Sequence, residues 1–156
     1  MIDINIPGRT LLSIKHIVFD FNGTLAKDGT LLSGTAALIN QLSQKADCYI
    51  ITADTFGTVA HTCKNLNCAV KILESENGAL EKETFISQLG AENTAAIGNG
   101  TNDARMLEKS ALGILILEAE GASVEAILKA DVMTRSVEEA LEMLLYPKRL
   151  MATLRT

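Results

Sequence analysis

The stretch Ile17-Val18-Phe19-Asp20-Phe21-Asn22-Gly23-Thr24 decides how this chain folds and where its chemistry lies. Its first three residues are apolar and predict a short buried strand, which places Asp20 at the carboxyl end of that strand. The Gly23-Thr24 pair predicts a tight turn, and such a turn can hold a carboxylate against a phosphoryl group. Because carboxylates can act as nucleophiles and form aspartyl-phosphate intermediates, Asp20 is a candidate nucleophile.

Strand and helix patterns alternate along the chain outside this stretch. Apolar and alternating runs predict strands at 2–6, 10–14, 16–19, 48–51, 69–73, 94–97, 113–117 and 131–133. Helical periodicity predicts helices at 35–44, 56–65, 80–89, 104–110, 124–129 and 137–145, followed by a basic, amphiphilic tail at 148–156. This alternation predicts an α/β fold, a Rossmann-like three-layer sandwich in which helices cover both faces of a mostly parallel sheet.

Two turn signals add small hairpins to the predicted sheet. Pro7-Gly8 lets the first two strands pair as an N-terminal β-hairpin, and Lys27-Asp28-Gly29-Thr30 predicts a small flap over the site. No linker, repeat or low-complexity stretch divides the sequence, so we expect residues 1–156 to form a single domain.

Polar residues follow three of the predicted strands. Asp20, Thr52 and Asp103 each stand just beyond a strand in the sequence. Because the carboxyl ends of parallel strands meet at one edge of a sheet, we expect these three side chains to lie together.

Composition narrows the class of protein. The 156 residues are 47% hydrophobic and 21% charged, which is typical of a globular domain and not of a disordered or membrane-spanning chain. The net charge of −5 argues against nucleic acid as a partner. The first residues contain neither a basic segment nor a long apolar run, so no signal peptide is predicted.

The three cysteines indicate a reducing compartment. An odd count without an export signal predicts free thiols in a cytoplasmic protein. Packing is the favoured role of Cys48 and Cys68. A metal site built from His61, Cys63 and Cys68 is the alternative, although it lacks a fourth ligand nearby.

Four segments in order resemble the motifs of the haloacid dehalogenase (HAD) superfamily of phosphohydrolases. Asp20-Phe21-Asn22-Gly23-Thr24 resembles motif I, and the three later motifs are matched by Thr52, Lys82 and Gly98-Asn99-Gly100-Thr101-Asn102-Asp103. The resemblance covers roughly residues 16–146, and four ordered motifs are far more specific than one. The triplet Thr52-Ala53-Asp54 and the run through Asn102-Asp103 are most similar to the phosphorylation domain of P-type ATPases. The whole chain resembles the soluble P-type ATPase-like group, with no large cap domain.

The resemblance implies a magnesium-dependent hydrolase that acts on a small phosphorylated substrate. Asp20 would be the nucleophile, Thr52 would donate a hydrogen bond to a phosphoryl oxygen, and Lys82 would offset the negative charge. The phosphate would also be bound by the turn residues of motifs I and II, namely Gly23, Thr24 and Ala53.

The same resemblance implies a set of oxygen ligands for Mg²⁺. The ligands would be the carboxylates of Asp20 and Asp103 and the backbone carbonyl of Asn22. Asn99 and Asn102 would stand in supporting positions around them.

Two asparagines depart from the family's usual pattern. Many of these phosphatases have an acid two residues after the nucleophile, where this chain has Asn22, and an acid is common at Asn99. An asparagine cannot transfer protons, and loss of a general acid–base lowers rates by roughly 10²–10⁴. The first alternative is therefore a degenerate HAD fold that binds phosphate and metal with little or no turnover. The second is a structural or regulatory subunit that makes contacts through its hairpin and tail. A capless site is open, and association into a homo-oligomer could supply walls around it.

Several of these residues also have purely structural interpretations. Lys71 competes with Lys82 for the motif III role, because helix lysines are usually solvated. Helix capping is the alternative role of four residues: Asp54, Thr55, Asn102 and Asp103. His16 and His61 have no acidic partner at diagnostic spacing and are interpreted as structural. The basic tail residues form either a solvated face or a contact with a neighbouring subunit: Lys148, Arg149 and Arg155.

Overall fold

The computed structural model describes residues 1–156, and a six-stranded parallel sheet forms its centre. In chain order the strands are β1 (Ile2–Ile4), β2 (Leu12–Ile14), β3 (His16–Phe19), β4 (Ala26–Lys27), β5 (Thr30–Leu31), β6 (Asp47–Thr52), β7 (Ala69–Ile72), β8 (Thr94–Gly98), β9 (Leu112–Ile116) and β10 (Val132–Thr134). The central sheet has the order β10-β9-β8-β3-β6-β7, and every neighbouring pair is parallel. β3, which carries Asp20 at its end, therefore lies inside the sheet with β8 and β6 on its two sides.

Helices cover both faces of this sheet, as the alternating pattern predicts. They are α1 (Thr35–Leu42), α2 (Val59–Thr62), α3 (Gly78–Leu89), α4 (Ala104–Lys109), α5 (Val124–Lys129), α6 (Val137–Leu145) and α7 (Lys148–Leu154). One face packs with α1, α2, α6, α7 and the N-terminal hairpin around Ile17 and Phe19. The other face packs with α3, α4 and α5 around Val18. Successive side chains of a strand point to opposite faces, so a strand buried on both sides must be apolar throughout.

One predicted helix is much shorter in the structure. The pattern predicts a helix at 56–65, whereas α2 spans only Val59–Thr62. Gly57 has a φ of 62°, which a right-handed helix does not allow. The Asp54 carboxylate then accepts hydrogen bonds of 2.9 and 3.1 Å from the backbone N–H groups of Thr58 and Val59, as a cap does. Residues 53–58 consequently form a loop beyond the carboxyl end of β6.

The two predicted hairpins are present. β1 pairs with β2 in antiparallel register, and β4 pairs with β5. The turn of the second hairpin contains Asp28 at φ 50° and Gly29 at φ 77°, the backbone that a two-residue type I′ turn requires. This flap lies between β3 and α1, and no larger cap is inserted there.

The cysteines and the C-terminal tail pack against the core. Cys48 and Cys63 are buried in the core as free thiols, and Cys68 is a partly buried free thiol packed against it. No three His, Cys, Asp or Glu side chains are grouped so that they could hold a metal ion. In the tail, α7 packs through Leu150 and Leu154, and Arg149 forms an ion pair with Glu142. None of the helices combines the length and the apolar character that crossing a membrane requires.

Candidate active site

The carboxyl edge of the sheet brings together the polar residues that follow its strands. Asp20 comes directly after β3, Thr52 ends β6, and Asp103 lies in a 3₁₀ turn, Thr101–Asp103, that follows β8. Their residues are 7%, 3% and 0% exposed, respectively. Polar residues this deeply buried need partners, because a buried polar group or charge without a partner destabilises the fold.

Lys82 supplies the partner of both carboxylates. It lies on α3, is 1% exposed, and places its Nζ 2.6 Å from Asp20 Oδ1 and 2.7 Å from Asp103 Oδ1. Lys71, the sequence alternative, lies on β7 and pairs instead with Glu81 at 3.5 Å. The structure thus places Lys82, and not Lys71, between the two acids.

This cluster holds two acids and a single ammonium group. Burial and then the charge of Asp103 raise the pKa of Asp20 to about 7, against the lowering effect of Lys82. For Lys82, burial acts to lower the pKa, but the two carboxylates outweigh burial and raise it. The site is therefore short of positive charge, and a bound cation would favour the ionised form of Asp20.

Asp103 is held in place by its second carboxylate oxygen. Oδ2 accepts hydrogen bonds from the backbone N–H groups of Asn99 at 3.0 Å and Gly100 at 2.9 Å. A Cβ on Gly98 would lie 2.6 Å from the Asp103 carboxyl carbon, so only glycine fits there. The Asp103 side chain makes no capping bond to α4, which removes the capping interpretation. Asn102 is exposed and its side chain makes no hydrogen bond, so the structure does not bring it into the cluster.

The motif I turn packs against Asn99. The single hydroxyl proton of Thr24 is shared between Asn99 Oδ1, 3.3 Å from Oγ1, and Asp20 Oδ2, 3.4 Å from Oγ1. Gly23 has a φ of 82°, and a Cβ there would lie 2.5 Å from Asn99 Nδ2. This close approach requires a glycine at position 23.

Gly23 and Thr24 shape the motif I turn, and their own amides do not face a ligand. The Gly23 N–H donates to Ala26 O at 2.7 Å and the Thr24 N–H to Phe21 O at 3.3 Å, so the turn itself uses both donors. The backbone N–H groups of Asn22 and Ala53, by contrast, donate to no protein acceptor. Both amides therefore remain free for a ligand.

Asn22 ties the flap to the nucleophile loop. Its Oδ1 accepts a hydrogen bond of 3.0 Å from the backbone N–H of Gly29 at the flap tip. The carbonyl oxygen of Gly29 accepts from Thr58 Oγ1 at 3.4 Å and Thr62 Oγ1 at 3.3 Å. Sequence reasoning missed Thr58 and Thr62, although their spacing of four residues places both on one side of a helical turn.

Asn99 connects the motif I turn to a second loop. The side-chain Nδ2 of Asn99 donates to Gly121 O at 3.0 Å. The backbone carbonyl oxygen of Asn99 accepts from the Ser123 N–H at 2.9 Å. Because Oδ1 accepts from Thr24, both ends of the amide are engaged, and Asn99 supports the site without facing it as a ligand. The loop 117–123 carries no motif, so the sequence did not reveal it as a wall of the site.

Thr52 keeps a hydrogen to donate. Its Oγ1 accepts a hydrogen bond of 3.0 Å from the Asp54 N–H. A hydroxyl that accepts can still donate its own proton, so Thr52 can reach a phosphoryl oxygen.

The oxygen donors at this edge fit a magnesium ion. Asp20 and Asp103 converge on one ammonium group, and the Asn22 carbonyl oxygen accepts no hydrogen bond from the protein. Magnesium prefers oxygen ligands, and usually takes one or two carboxylates with waters and a substrate phosphate completing its shell. Two carboxylates and one carbonyl therefore suit this ion, and the shortage of positive charge around Asp20 favours it.

Solved structures of known proteins share this fold. The chain resembles 3-deoxy-D-manno-octulosonate 8-phosphate phosphatase from Moraxella catarrhalis, solved with magnesium, phosphate and KDO, with a TM-score of 0.72, 18% identity, and coverage of 91% of this chain and 94% of that chain. A HAD superfamily hydrolase of subfamily III A from Legionella pneumophila gives a TM-score of 0.71 at 16% identity, covering 89% of this chain and 86% of that chain. A phospho-aspartyl intermediate analogue of phosphoserine phosphatase gives 0.66 at 16% identity, with 85% and 99% covered. The predicted HAD fold is thereby confirmed.

Sequence comparison adds one relative. No family model matches the chain. An uncharacterised protein of Methanocaldococcus jannaschii is 38% identical over 80 residues, which cover 49% of this chain and 86% of that protein. The chain therefore belongs to the same family as this archaeal protein, and its fold is that of the haloacid dehalogenase superfamily.

Proposed function

We propose that the protein is a magnesium-dependent phosphohydrolase that acts through an aspartyl-phosphate on Asp20. The observation that carries this proposal is the buried bridge from Lys82 Nζ to Asp20 at 2.6 Å and Asp103 at 2.7 Å, at the carboxyl edge beside Thr52. Structural ion pairs are usually solvated, whereas this one lies where an α/β fold binds its ligands. The fold-sharing phosphatases solved with magnesium and phosphate or as a phospho-aspartyl analogue support the same reaction class.

In the first step Asp20 Oδ2 attacks phosphorus. Lys82 engages Oδ1 at 2.6 Å, whereas Oδ2 has only a long contact of 3.4 Å with Thr24 Oγ1, so Oδ2 is the oxygen that attacks. The new bond joins this oxygen to phosphorus, and the bond from phosphorus to the leaving group breaks with its electron pair. The hydroxyl of Thr52 and the free amides of Asn22 and Ala53 would hold the phosphoryl oxygens.

In the second step water attacks phosphorus and releases phosphate. The bond between Asp20 and phosphorus breaks, its electron pair returns to the carboxylate, and the water's proton passes to solvent. Asn22 cannot accept this proton, so the step lacks a positioned base. Asn22 also cannot protonate the leaving group in the first step. Substrates whose leaving groups depart without a proton, such as anhydrides and acyl phosphates, should therefore react best in that step.

Magnesium would be held by Asp20, Asp103 and the Asn22 carbonyl oxygen. When bound, it offsets the negative charge on the phosphoryl oxygens. Lys82 keeps the two carboxylates together, and the Asn99 and Gly100 amides fix the orientation of Asp103.

The finer assignments are also proposals. We include in the proposal a single domain over 1–156, a small phosphate ester or anhydride as substrate, and a likeness to the phosphorylation domain of P-type ATPases carried by Thr52-Ala53-Asp54. Three free cysteines support a reducing, cytoplasmic location. The short flap leaves the site open, which favours a homo-oligomer in which neighbouring subunits add walls.

Phosphate release with magnesium tests the proposal. Acetyl phosphate, p-nitrophenyl phosphate and ATP serve as substrates for the wild type, for Asp20→Asn and for the control Asp47→Asn, which changes an exposed aspartate outside the site. We expect Asp20→Asn to lose at least about a thousandfold in kcat/KM, because it removes the nucleophile. Equal release by wild type and Asp20→Asn sinks the proposal.

Substitution of Asn22 separates a slow enzyme from a degenerate one. Asn22→Asp keeps an oxygen to accept the Gly29 N–H and adds a proton-transferring group, so we expect a gain of about 10²-fold in turnover. Asn22→Ala removes the flap contact and adds no acid, so it should give no gain. Magnesium and phosphate binding by calorimetry, with no turnover in wild type or Asn22→Asp, would favour the degenerate binding protein instead.

A further inference from the structure

Phe56 is an exposed aromatic residue beside the site. It is 54% exposed, whereas Phe19 and Phe21 are 0% exposed. Burying a phenylalanine side chain stabilises a protein, and this ring forgoes much of that gain. Phe56 lies in the loop 53–58, immediately beyond the Thr52 end of β6.

The loop holds Phe56 in a defined position. The Asp54 N–H donates to Thr52 Oγ1 at 3.0 Å, and the Gly57 N–H donates back to Asp54 O at 2.8 Å. Asp54 Oδ1 also accepts from the Thr58 N–H at 2.9 Å. Hydrogen bonds therefore flank Phe56 on both sides, and one of them begins at the candidate phosphate-binding threonine.

The flap tip packs against Phe56. A Cβ on Gly29 would lie 3.4 Å from Phe56 Cβ and 3.5 Å from its ring carbon Cγ. The N–H of the same Gly29 donates to Asn22, two residues beyond the nucleophile. Phe56 thus joins the rim of the site at the flap, next to the segment that carries Asp20.

A second exposed apolar side chain lies on this side of the site. Ile72 pairs with Thr52 across the β6–β7 register and is 42% exposed. Directly paired residues on neighbouring strands point to the same face of a sheet. The opposite rim is acidic, since Glu118 and Glu120 line a narrow cavity with Gly23. The two sides of the entrance therefore differ in chemistry.

We infer that Phe56 and Ile72 form a subsite for a planar aromatic leaving group on the phosphorylated substrate. This inference rests on the proposed function and adds the class of leaving group to it. An aromatic face offers offset stacking to another ring, and this contact tolerates different substituents on that ring. A half-exposed ring in the loop that follows Thr52 is suited to this contact, and an aliphatic leaving group would gain little from it.

The test compares substrates with and without a ring. Wild type, Phe56→Ala, Phe56→Tyr and the control Leu128→Ala, which truncates a 77% exposed leucine on α5, are assayed with p-nitrophenyl phosphate and acetyl phosphate. We expect Phe56→Ala to raise KM for p-nitrophenyl phosphate by about 5- to 150-fold, the equivalent of 1–3 kcal/mol, with kcat little changed. KM for acetyl phosphate should stay the same, Phe56→Tyr should behave as wild type, and Leu128→Ala should change neither value. An equal change for both substrates, or none for the aryl substrate, overturns the subsite.

Two further arms make the outcome unambiguous. Adenosine 5′-monophosphate separates its ring from the phosphate by a ribose: a KM that responds to Phe56→Ala assigns the subsite to nucleotides, and one that does not assigns it to aryl phosphates. Binding of phenylphosphonate and methylphosphonate, measured by calorimetry, tests the subsite without turnover. If Phe56→Ala weakens phenylphosphonate alone, the subsite stands even where hydrolysis fails. If it weakens neither or both, the subsite is wrong even where hydrolysis is confirmed.

Discussion

The two edges of the central sheet each place an acid beside a cationic or titratable partner, but in opposite surroundings. At the carboxyl edge, the side chains of Asp20 and Lys82 are 10% and 0% exposed, and their charged atoms are 2.6 Å apart. At the amino edge, Asp47 Oδ2 lies 3.4 Å from His16 Nδ1, and the Asp47 side chain is 72% exposed. An open cleft of about 400 Å³ adjoins Asp47, lined by Cys48, Tyr49 and Cys68 among others.

Burial, and not the size of a cleft, separates these two edges. Water solvates Asp47 at the amino edge, so its contact with His16 contributes about 0–1 kcal/mol to stability. At the carboxyl edge the charges are desolvated, so each depends on the others and the pKa of Asp20 rises. The cleft beside Asp47 contains no buried charged group, whereas the carboxyl edge holds three. This difference argues for the carboxyl edge as the site of chemistry.

Removal of Lys82 should give the largest effect. Lys82→Met leaves two buried carboxylates without their shared cation, and breaking a buried pair costs about 3–5 kcal/mol. We expect that loss in the free energy of unfolding, measured by urea denaturation at neutral pH without divalent metal. Lys71→Met, which breaks a pair at the protein surface, is the matched control and should lose less than about 1 kcal/mol. Similar losses for both lysines would mean that burial does not distinguish the two edges.

The pH dependence of stability should follow from Asp20. Its pKa is raised in the folded protein from 3.8 to about 7, so between these values the unfolded state gives up its proton first. The folded state then binds more protons, and the free energy of unfolding falls as pH rises from about 4 to about 7. At 1.36 kcal/mol per pKa unit the fall amounts to at most about 4 kcal/mol.

Asp20→Asn provides the reference for this measurement. Urea denaturation of both proteins in metal-free buffer at several pH values gives their difference in unfolding free energy. That difference should shift against the wild type as pH rises and then level off above about pH 7. A difference that stays constant across the window would show that Asp20 titrates with an ordinary pKa.

The amino edge should give the smallest effect. Asp47→Asn removes the charge beside His16, and we expect the free energy of unfolding to change by less than about 1 kcal/mol because the pair is solvated. Phosphate release should equal that of the wild type. A drop in turnover without a drop in stability would show that Asp47 affects the reaction, and would contradict the view that only the carboxyl edge is catalytic.

The fold and the central cluster were predictable because their signals are local and strong. The apolar run of β3 and the polar residue that follows it predict where Asp20 lies, and parallel pairing brings Thr52 and Asp103 beside it. Lys82 was identified through the resemblance, although Phe85, Ile86 and Leu89 follow it at helical spacing and place it on the apolar face of its helix. The structure shows it 1% exposed.

The features that the sequence did not reveal are one contact set by strand register and two local details of the backbone. His16 has no acidic partner at diagnostic spacing in the sequence, and the register of β3 and β6 places Asp47 beside it. The amides of Gly23 and Thr24 bond within their own turn, and the amide of Asn22 stays free. The helix predicted from residue 56 begins at Val59 because the backbone of Gly57 has a positive φ. No spacing rule in one sequence reveals such contacts.

The anchored flap has a consequence for the traffic of molecules through the site. Side chains from two separate segments hold its tip, Asn22 from one and Thr58 and Thr62 from the other. A flap tip that is hydrogen-bonded on both sides forms a fixed threshold at the entrance to the site. In enzymes with mobile lids, by contrast, substrate entry depends on lid opening, which takes microseconds to milliseconds. Entry and exit would then proceed at the pace of diffusion. Such a threshold selects molecules by whether they fit a preformed opening, because no closing motion remains to reject the wrong ones.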